Sequence, residues 1–486
     1  MKEIARIPTT SFLPHEPAEA ADTHYFDPKR TGFGTVVGGS ATAVLTEVAA
    51  LSRLQHPALL DSPHPIRGSS QYPLTTYRIF GYDLPISQNG EPLTQDKLVE
   101  AYMQDEEWLE RHIRSRMAQG KEIVFAHHTV GTSLEPMIQS ASGTRGDTLV
   151  VSRYHSRILP LDQMLDPPYF DRAYPAGAYR DELWRLQQNS LQESDFVLFP
   201  TQTERRKSID AVSRAGILEE TAAIAKFLVS PIPLKLDEFT PDPTGNKRKK
   251  AVETINQILQ TTPQTDLNHI PDVVLDSDDC IFGYVGRFDF EKGIWELIDE
   301  YIDFLNDHRG QNNLPYLLAI GGLTNKPGIL ERHISTMEKI NALPARLQKQ
   351  IIMPLIPVAH QEVVHAYNLQ IYNSAAEAFN ISEKQARAAG IPVALTDLPA
   401  HQDTNTDLTA IQYSFGDSAR IQQIFTQLHE GERFEELARA GRAHAISTFG
   451  DVQVCSNLIH TLQEKRPDFF KKDQYEGLTP GRAIPS

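Results

Sequence analysis

The sequence predicts an α/β protein with two doubly wound, parallel-sheet domains. Short apolar runs alternate with amphipathic stretches, which is the pattern that strand, helix and strand produce in a parallel sheet. The first series of apolar runs consists of EIVFAH (122–127), TLVVSRYH (148–155) and FVLFPT (196–201). The second series consists of CIFGYVG, YLLAIGG, QIIMPLIPV, LQIYNSA and IPVALTD, between residues 280 and 397. Two sheets with helices packed on their faces are therefore expected.

The composition supports a large intracellular protein. Of the 486 residues, 40% are apolar, which is enough for two cores. A net charge of −16 disfavours nucleic acid and anionic membrane surfaces as partners. The two cysteines, Cys280 and Cys455, provide neither a disulfide framework nor a C-x-x-C metal cluster. Because neither a signal peptide nor a membrane-spanning apolar run is visible, we expect a cytoplasmic protein with no integral membrane segment. No sequence feature indicates an oligomeric state.

A polar segment separates the two series of strands. Residues 244–275 are rich in Pro, Thr, Gln and Lys, and the basic run KRKK (247–250) within them is interpreted as part of a solvated linker. The predicted domains are then residues 1–243 and 276–465, and residues 466–486 form a C-terminal tail. Ligands of such folds bind at the carboxyl ends of the strands, which predicts a cleft faced by both sheets.

The first strand of the second series leads into a loop with two cations. The strand ends at Gly286, and Arg287 and Lys292 lie in the loop before the next helix. A guanidinium and an ammonium in one loop can hold a diphosphate from two sides and stabilise its charge as it leaves. Alternatively, the two cations are solvated and pair with Asp289 and Glu291, which is the interpretation that the loop alone favours.

Several short motifs follow one another in a fixed order. G-R-x-x-x-x-K-G at residues 286–293 is followed by E-x-F at residues 377–379 and by A-x-G-x-P-V at residues 388–393. Before them come GGSATAVLTEVAALSRL, IVFAHH, VVSRYHS, ESDFVLFPTQTERR and SPIPLKLDEFTP. This ordered set, which covers nearly the whole chain, resembles the retaining glycosyltransferases of family 4. Their fold is GT-B, in which two Rossmann-like domains face a central cleft.

The resemblance implies a donor site for a nucleotide sugar. The residues matched to it are Gly38, Gly39, Gly286, Arg287, Lys292, Glu377, Ala378, Phe379, Asn380 and Gln385. Arg287 and Lys292 would hold the diphosphate, and Glu377 would contact hydroxyls of the transferred sugar. The backbone at residues 378–380 would approach that sugar, although the family usually has Gly-Phe-Gly there. The Gly38-Gly39 pair would form a glycine-rich loop over donor and acceptor, but alone it favours a plain turn before a helix.

Gln385 stands where the family has a second glutamate that binds the donor ribose. Its carbonyl can accept from one hydroxyl but lacks the strength of a charged acceptor. Ser382 and Gln385 also match a capping box, in which the serine caps the helix and the glutamine reaches back to the serine N–H. Both roles stay open, and they are compatible. Glu383 in the first turn would repel a phosphate bound at this helix start.

The first domain holds the remaining candidates. His127 ends the strand EIVFAH, where the family has a histidine that contacts the transferred sugar at the reaction centre. Arg153, His155 and Arg157 alternate along VSRYHSR and would share one face of an extended strand. Cations on that face could bind an anionic acceptor such as a sugar phosphate, or they could pair with nearby carboxylates.

The resemblance implies that a hexose moves from a nucleoside diphosphate sugar, such as UDP-glucose, to an acceptor hydroxyl with retention of configuration. The expected catalytic residues are His127, Arg287, Lys292 and Glu377, with the donor on the second domain and the acceptor on the first. Neither a metal ion nor another cofactor is expected, because the motif DSD (276–278) precedes its strand. The alternative is a non-catalytic GT-B protein that binds or regulates a glycosyltransferase.

Overall fold

The chain forms two compact units. The computed structural model describes residues 58–60, 75–81, 87–88, 91–92, 121–128, 148–154, 158–165, 177–324, 328–356, 358–427 and 431–470, with the backbone alone for the strands up to residue 128. One unit comprises the described residues up to Pro233 and those from Asp451 onward, and the other is Leu234–Gly450. None of the described helices is both long and apolar enough to cross a membrane.

The first unit contains a parallel sheet. Its strands are β1 (Ala58–Leu60), β2 (Thr75–Gly81), β5 (Lys121–His128), β6 (Thr148–Tyr154), β7 (Phe196–Phe199) and β8 (Phe227–Val229). They lie side by side in that order, and β3 (Ser87–Gln88) and β4 (Glu91–Pro92) form a separate antiparallel pair. Among the described residues up to Pro233, the helices are α1 (Leu159–Leu165), α2 (Ala178–Glu193), α3 (Gln202–Arg214) and α4 (Glu220–Lys226). Thr201 caps α3 by accepting a hydrogen bond from the N–H of Glu204.

The second unit contains the other parallel sheet. Its strands are β9 (Ile281–Val285), β10 (Tyr316–Ile320), β11 (Ile351–Ile352), β12 (Leu369–Tyr372), β13 (Val393–Thr396) and β14 (Ile411–Tyr413). Its helices are α5 (Asn246–Thr261), α6 (Ile294–Asp307), α7 (Ile329–Asn341), α8 (Ala345–Gln348), α9 (His360–Val363), α10 (Ile381–Ala388), α11 (Pro399–Gln402), α12 (Ser418–Thr426) and α13 (Gly431–Phe449). Single 3-10 turns occur at Leu236–Glu238, Phe290–Lys292 and Val364–Ala366.

The spatial order of this second sheet is β11-β10-β9-β12-β13-β14, with every neighbour parallel. Counted from β9, this is the order 3-2-1-4-5-6 of Rossmann folds. Helices cover both faces, because successive strand residues such as Ile281 and Phe282 are buried in different clusters. Phe282 packs with α6 and α12, whereas Ile281 packs with α5. The predicted fold class, α/β with two parallel sheets, is therefore confirmed.

The segment predicted to be a linker, residues 244–275, contains helix α5. Its residues Ala251, Val252, Ile255 and Leu259 are buried in the second unit, so this part of the segment is not a solvated connection. The apolar residues of α5 lie on one face of the helix, but the basic run at its start made this helical pattern difficult to recognise in the sequence. Arg248 in that run is half-buried and donates to the carbonyls of Ser277 and Asp279 and to Asn368 Oδ1 at 2.6, 2.6 and 2.9 Å.

The chain leaves the second unit earlier than expected, at Gly450 rather than at residue 465. Helix α14 (Asp451–Lys465) and the short α15 (Pro467–Phe470) group with the first unit. Arg466 pairs there with Asp195 at 3.2 Å. The sequence signal for this change of unit is the Gly450-Asp451 pair, which ends one helix and begins the next.

Candidate functional site

The two central strands of the second sheet, β9 and β12, define a switch point. The chain continues from β9 to the neighbouring β10 on one side and from β12 to β13 on the other. Loops that leave such a pair diverge, and the crevice between them is where open α/β sheets bind ligands. The loop after β9 carries Gly286, Arg287 and Lys292, and the loop after β12 carries Glu377. The fold thus brings together four residues that the sequence placed in the donor site.

The loop after β9 begins with a tight backbone approach. The N–H of Gly286 donates to the Ile320 carbonyl at 3.1 Å, and the N–H of Phe288 donates to the Gly322 carbonyl at 2.8 Å. A Cβ at Gly321 would lie 1.7 Å from the Gly286 carbonyl oxygen, so only glycine fits at position 321. These contacts fix the direction in which the loop leaves the sheet.

Arg287 is the more accessible of the two loop cations. Its side chain is 51% exposed, and its Nη1 lies 3.9 Å from Oδ2 of Asp289, whose side chain is fully buried. Asp289 also accepts from the N–H of Glu291 and so caps the 3-10 turn that ends at Lys292. The expected ion pair between Arg287 and Asp289 is therefore present but long. It leaves the guanidinium at the surface of the crevice.

Lys292 forms an ion pair with Glu377 and not with Glu291. The pair joins the two loops, and the side chains of Lys292 and Glu377 are 19% and 10% exposed. Burial alone would raise the pKa of Glu377, but Lys292, followed by His401 and Lys384, lowers it from 4.5 to about 2. Glu377 is therefore an ionised carboxylate at neutral pH.

Gly293 allows Lys292 to reach this position. Its backbone is left-handed, with φ of 56°, and a Cβ there would lie 2.0 Å from the Asn373 carbonyl oxygen. The Asn373 Nδ2 donates in turn to the Gly293 carbonyl at 3.0 Å. The N–H of Ala375 donates to the Glu291 carbonyl at 2.9 Å, which ties the loops together a second time.

We expect Gly293→Ala to lower the free energy of unfolding by about 2 kcal/mol, because it combines a strained φ with a backbone clash. Gly245→Ala is a matched control, since Gly245 also has a positive φ, 75°, but has nothing within 4 Å of the added Cβ. Urea unfolding of both variants measures the difference. If both variants lose the same free energy of unfolding, the close approach of Gly293 to Asn373 does not contribute to the cost of Gly293→Ala.

The Lys292–Glu377 pair also makes a prediction about pH. Since the folded-state pKa of Glu377 lies below its ordinary value of 4.5, the pair stabilises the fold above that value. The stability difference between wild type and Glu377→Gln is therefore expected to be constant above about pH 5 and to shrink as the pH falls toward about 2. Unfolding measurements from neutral to acidic pH give this difference, and a difference that grows on acidification would contradict the assignment.

The helix start after the second loop differs from the capping-box prediction. Asn380 is the cap of α10, and its Oδ1 accepts from the N–H of Glu383 at 3.2 Å and from Ser382 Oγ at 3.1 Å. Ser382 lies within the first turn and also donates to the Val285 carbonyl at 3.3 Å. The capping box of Ser382 and Gln385 is wrong, because the extended backbone of Asn380 starts the helix earlier. Asn380 thus has a structural role at the helix start.

Glu383 is buried rather than directed at a ligand. Its carboxylate contacts Lys384 Nζ and Arg387 Nε, each at 2.6 Å, and all three side chains are at most 1% exposed. The Lys384 ammonium also lies 4.6 Å from the centre of the Phe379 ring. Burial favours the neutral acid, but Arg387 and Lys384 outweigh it and lower the pKa of Glu383. The triad of Glu383, Lys384 and Arg387 therefore keeps one excess positive charge beside the site, which offsets the expected repulsion.

The backbone of residues 378–380 follows Glu377 directly. The N–H of Ala378 donates to Glu377 Oε1 at 3.3 Å, which orients the carboxylate. The Phe379 ring is buried and packs edge-on against Phe449, with 5.6 Å between the centroids. Ala378 and Asn380 are thus part of the same loop as Glu377, as predicted, and Phe379 anchors that loop in the core.

Gln385 belongs to a polar chain beneath α10. Its Oε1 lies 3.0 Å from Nδ1 of His360, and the His360 Nε2 lies 3.1 Å from Oε1 of Gln370. Burial lowers the pKa of His360 to about 4, so the imidazole is neutral at physiological pH. Nothing in the sequence around His360 indicated this contact, because the residues that meet lie on α9, β12 and α10.

Two further groups near Glu377 were missed by the sequence analysis. His401 is buried, and its Nδ1 donates to the Thr396 carbonyl at 2.7 Å. Its charge interaction with Glu377 contributes to the low pKa of that carboxyl. Lys384, a buried residue of α10, also lowers the pKa of Glu377 through its charge. The sequence signal for Lys384 was the pattern E-K-x-x-R at residues 383–387, which lies in a short helix that must pack against the sheet.

The candidates of the first unit are less completely described. His127 lies near the end of β5, where its backbone pairs with Gly81 and Arg153 on the neighbouring strands. Gly38, Gly39, His155 and Arg157 lie outside the described residues.

Arg153 does not fit the predicted acceptor site. Its side chain is 1% exposed, and its guanidinium donates to the Ser230 carbonyl at 2.9 Å, the Pro231 carbonyl at 3.1 Å and Ser230 Oγ at 3.0 Å. It therefore supports the chain just after β8. Strand β8 spans only three residues and directly follows α4, so its sequence shows no strand pattern and this partner could not be foreseen.

Comparisons with known proteins show the fold. No protein-family model and no curated protein matches the chain. The HepE protein of Anabaena, solved with UDP, shares 13% identity and a TM-score of 0.55 over 88% of this chain and 96% of its own. Sucrose-phosphate synthase from Thermosynechococcus elongatus shares 15% identity and a TM-score of 0.57 over 89% of this chain and 94% of its own.

A third neighbour is α,α-trehalose 6-phosphate synthase from Burkholderia multivorans. It shares 13% identity and a TM-score of 0.53 over 81% of this chain and 79% of its own. These neighbours are GT-B glycosyltransferases with Rossmann-like domains. The chain therefore has the GT-B fold, which confirms the predicted fold class.

Proposed function

We propose that this protein is a retaining glycosyltransferase that moves a hexose from a nucleoside diphosphate sugar to an acceptor hydroxyl. The observation that carries this proposal is the position of Arg287, Lys292 and Glu377 at the switch point between β9 and β12. One neighbour of the same fold supports it, since HepE was solved with UDP-glucose and with UDP. UDP-glucose is therefore the first donor to test.

Arg287 and Lys292 would bind the diphosphate and stabilise its growing charge as the bond to the sugar breaks. The half-exposed guanidinium can reach a phosphate without first breaking a short ion pair, because Asp289 lies 3.9 Å away. The Lys292 ammonium has three donors, so it can bind a phosphate oxygen while it keeps Glu377. The excess charge of the buried triad favours the same anion. These cations supply the charge that a metal ion supplies elsewhere, so we propose that transfer needs no metal.

Glu377 would orient the transferred sugar. An ionised carboxylate accepts hydrogen bonds from sugar hydroxyls, and the contacts with Lys292 and the N–H of Ala378 hold it in place. In this proposal Glu377 is not a nucleophile, and the departing phosphate takes the proton of the acceptor hydroxyl. The contribution of His127 at the reaction centre stays a prediction from the resemblance. Kinetics of His127→Ala would test it.

The experiment is to incubate the protein with UDP-glucose and a panel of sugars and sugar phosphates, with and without EDTA. UDP release identifies the acceptor, and proton NMR gives the configuration of the new linkage. We expect an α-linked product from the α-linked donor, at the same rate with EDTA. A β-linked product would overturn retention. UDP binding without transfer to any acceptor would instead favour the non-catalytic alternative.

A further inference from the structure

The second unit has a cavity of about 650 Å³ at the amino ends of β12 and β13. His365 and Tyr367 line it just before β12, and Gly390 and Ile391 line it just before β13. The loop that carries Glu377 leaves the opposite, carboxyl edge of the same parallel sheet. A ligand in this cavity is therefore separated from the proposed donor site by the full length of the strands.

Two arginines on different helices line the cavity. Arg248 on α5 uses its Nε and Nη2 for the contacts described above, and Arg442 on α13 donates through Nη1 to the carbonyls of Ala388 and of Phe239, the latter at 2.9 Å. Within the described residues, no group accepts from Nη1 of Arg248 or from Nε and Nη2 of Arg442. The existing hydrogen bonds hold both guanidinium groups in place, so the remaining N–H groups are fixed donors.

His365 is an independent indication of a ligand. Its side chain is 9% exposed and lines the cavity, and none of the described residues forms a hydrogen bond with its ring. Burial, followed by the charge of Lys247, lowers the pKa of His365, so the imidazole is neutral and has one donor and one acceptor. Because buried polar side chains normally have a hydrogen-bond partner, we expect the imidazole to find its partner in the cavity.

The charges around the cavity favour an anion. Two guanidinium groups face one lining carboxylate, that of Asp242, which already accepts from the N–H of Arg248 at 2.7 Å and from Thr244 Oγ1 at 3.2 Å. Lys247 adds a further positive charge, since its ammonium donates to the carbonyl of the lining residue Thr240 at 2.8 Å. Guanidinium donors match the oxygens of a phosphate group better than those of other common anions.

The size of the cavity indicates more than a phosphate ion. Its volume lies within the range of about 300–1,000 Å³ that is usual for sites of small organic ligands. Gly245 and Gly390 line it with main-chain groups, which can bind hydroxyls, whereas Pro241, Pro243 and Ile391 add apolar contacts. This mixture suits a compact ligand that has hydroxyl groups as well as carbon surface.

We infer that this cavity is a second ligand site, which binds a sugar monophosphate through Arg248, Arg442 and His365. The phosphate would accept from the free N–H groups of the two arginines and from the imidazole. None of these residues belongs to the donor site, so the inference does not rest on the proposed function. Because substrates of such sheets bind at the carboxyl edge, the bound sugar phosphate is not a substrate of the proposed transfer.

Calorimetric titration of the full chain with glucose 6-phosphate, glucose 1-phosphate and fructose 6-phosphate tests the site. We expect saturable binding of at least one of them, and at least tenfold weaker binding of inorganic phosphate and of glucose. Binding should weaken by at least tenfold in Arg442→Met, since a charge-assisted contact is lost. Arg439→Met is the matched control, because Arg439 is an exposed residue of the same helix that does not line the cavity, and its replacement is expected to leave the affinity unchanged.

Asp242→Asn provides a test that misfolding cannot imitate. The amide oxygen can keep both hydrogen bonds of the carboxylate, while the one negative charge of the cavity wall is removed. We expect the sugar phosphate to bind at least about threefold more tightly to this variant. No saturable binding by the wild type, equal affinity for inorganic phosphate, or unchanged affinity in both Arg442→Met and Asp242→Asn would overturn the inference.

The same titration with saturating UDP distinguishes the cavity from the donor site. We expect the affinity for the sugar phosphate to change by less than about threefold, because the two ligands share no residue. Loss of sugar phosphate binding in the presence of UDP would place both ligands in one site and would also overturn the inference. If UDP itself fails to bind, the proposed function fails, while the titrations of the cavity variants still decide this inference.

Discussion

Lys292→Ala is expected to lower the rate of sugar transfer from UDP-glucose by about a hundredfold to a thousandfold, the loss typical of removing one group that stabilises a leaving charge. Lys292 is the only one of the two loop cations that also holds Glu377, so its loss removes charge from the diphosphate and releases the carboxylate that would orient the sugar. Steady-state kinetics with saturating acceptor measure the effect.

The matched control is Lys339→Ala. Lys339 also pairs with a carboxylate, Asp299 at 2.8 Å, but it lies on α7 and is 46% exposed. Its replacement is expected to leave the transfer rate unchanged. Equal effects in the two variants, or a Lys292→Ala enzyme with wild-type kcat and KM, would contradict the role of Lys292.

Glu383→Gln is expected to lower the free energy of unfolding by about 3–5 kcal/mol, because it removes the carboxylate that contacts both the buried ammonium of Lys384 and the buried guanidinium of Arg387. Replacing all three by apolar or neutral residues of similar size, in Glu383→Gln/Lys384→Leu/Arg387→Met, is expected to recover most of that loss. Chemical unfolding of both variants measures the two values.

An exposed pair provides the comparison. Glu238 pairs with Lys235 on the surface of the same unit, with side chains 46% and 48% exposed. Glu238→Gln is therefore expected to cost less than about 1 kcal/mol. A similar small cost for Glu383→Gln would show that the buried triad is not a coupled group. In the stable triple variant, weaker UDP binding would connect the excess charge of the triad to the donor site.

The sequence predicted the framework of the fold because buried parallel strands are apolar along their whole length. FVLF in β7 and IFGYV in β9 are of this kind, and both were found. Strands β8 and β14, of three residues each, are too short to show a pattern. QIIMPLIPV was predicted as a longer strand, but only Ile351–Ile352 pair, since Pro354 cannot donate to the sheet.

The candidate site was predictable where one loop carries the residues. Arg287 and Lys292 follow β9 directly, and their motif fixed their place. The partner of Lys292 could not be derived from local sequence, because it lies on the loop after β12. The contact between His360 and Gln385 could not be derived from local sequence either, because β12 lies between these two residues in the chain. The buried triad was missed because a charged helix face normally indicates solvent, and only packing against Phe379 and Phe449 shows otherwise.

The most direct test of the central claim, a nucleoside diphosphate site between β9 and β12, is calorimetric titration of UDP into the wild type and into Arg287→Ala. Arg287 is half-exposed, so its replacement is not expected to disturb folding. We predict saturable binding of one UDP per chain by the wild type and at least tenfold weaker binding by the variant, the loss expected for a charge-assisted contact. Equal affinity in both, or no binding by the folded wild type at millimolar UDP, would contradict the account.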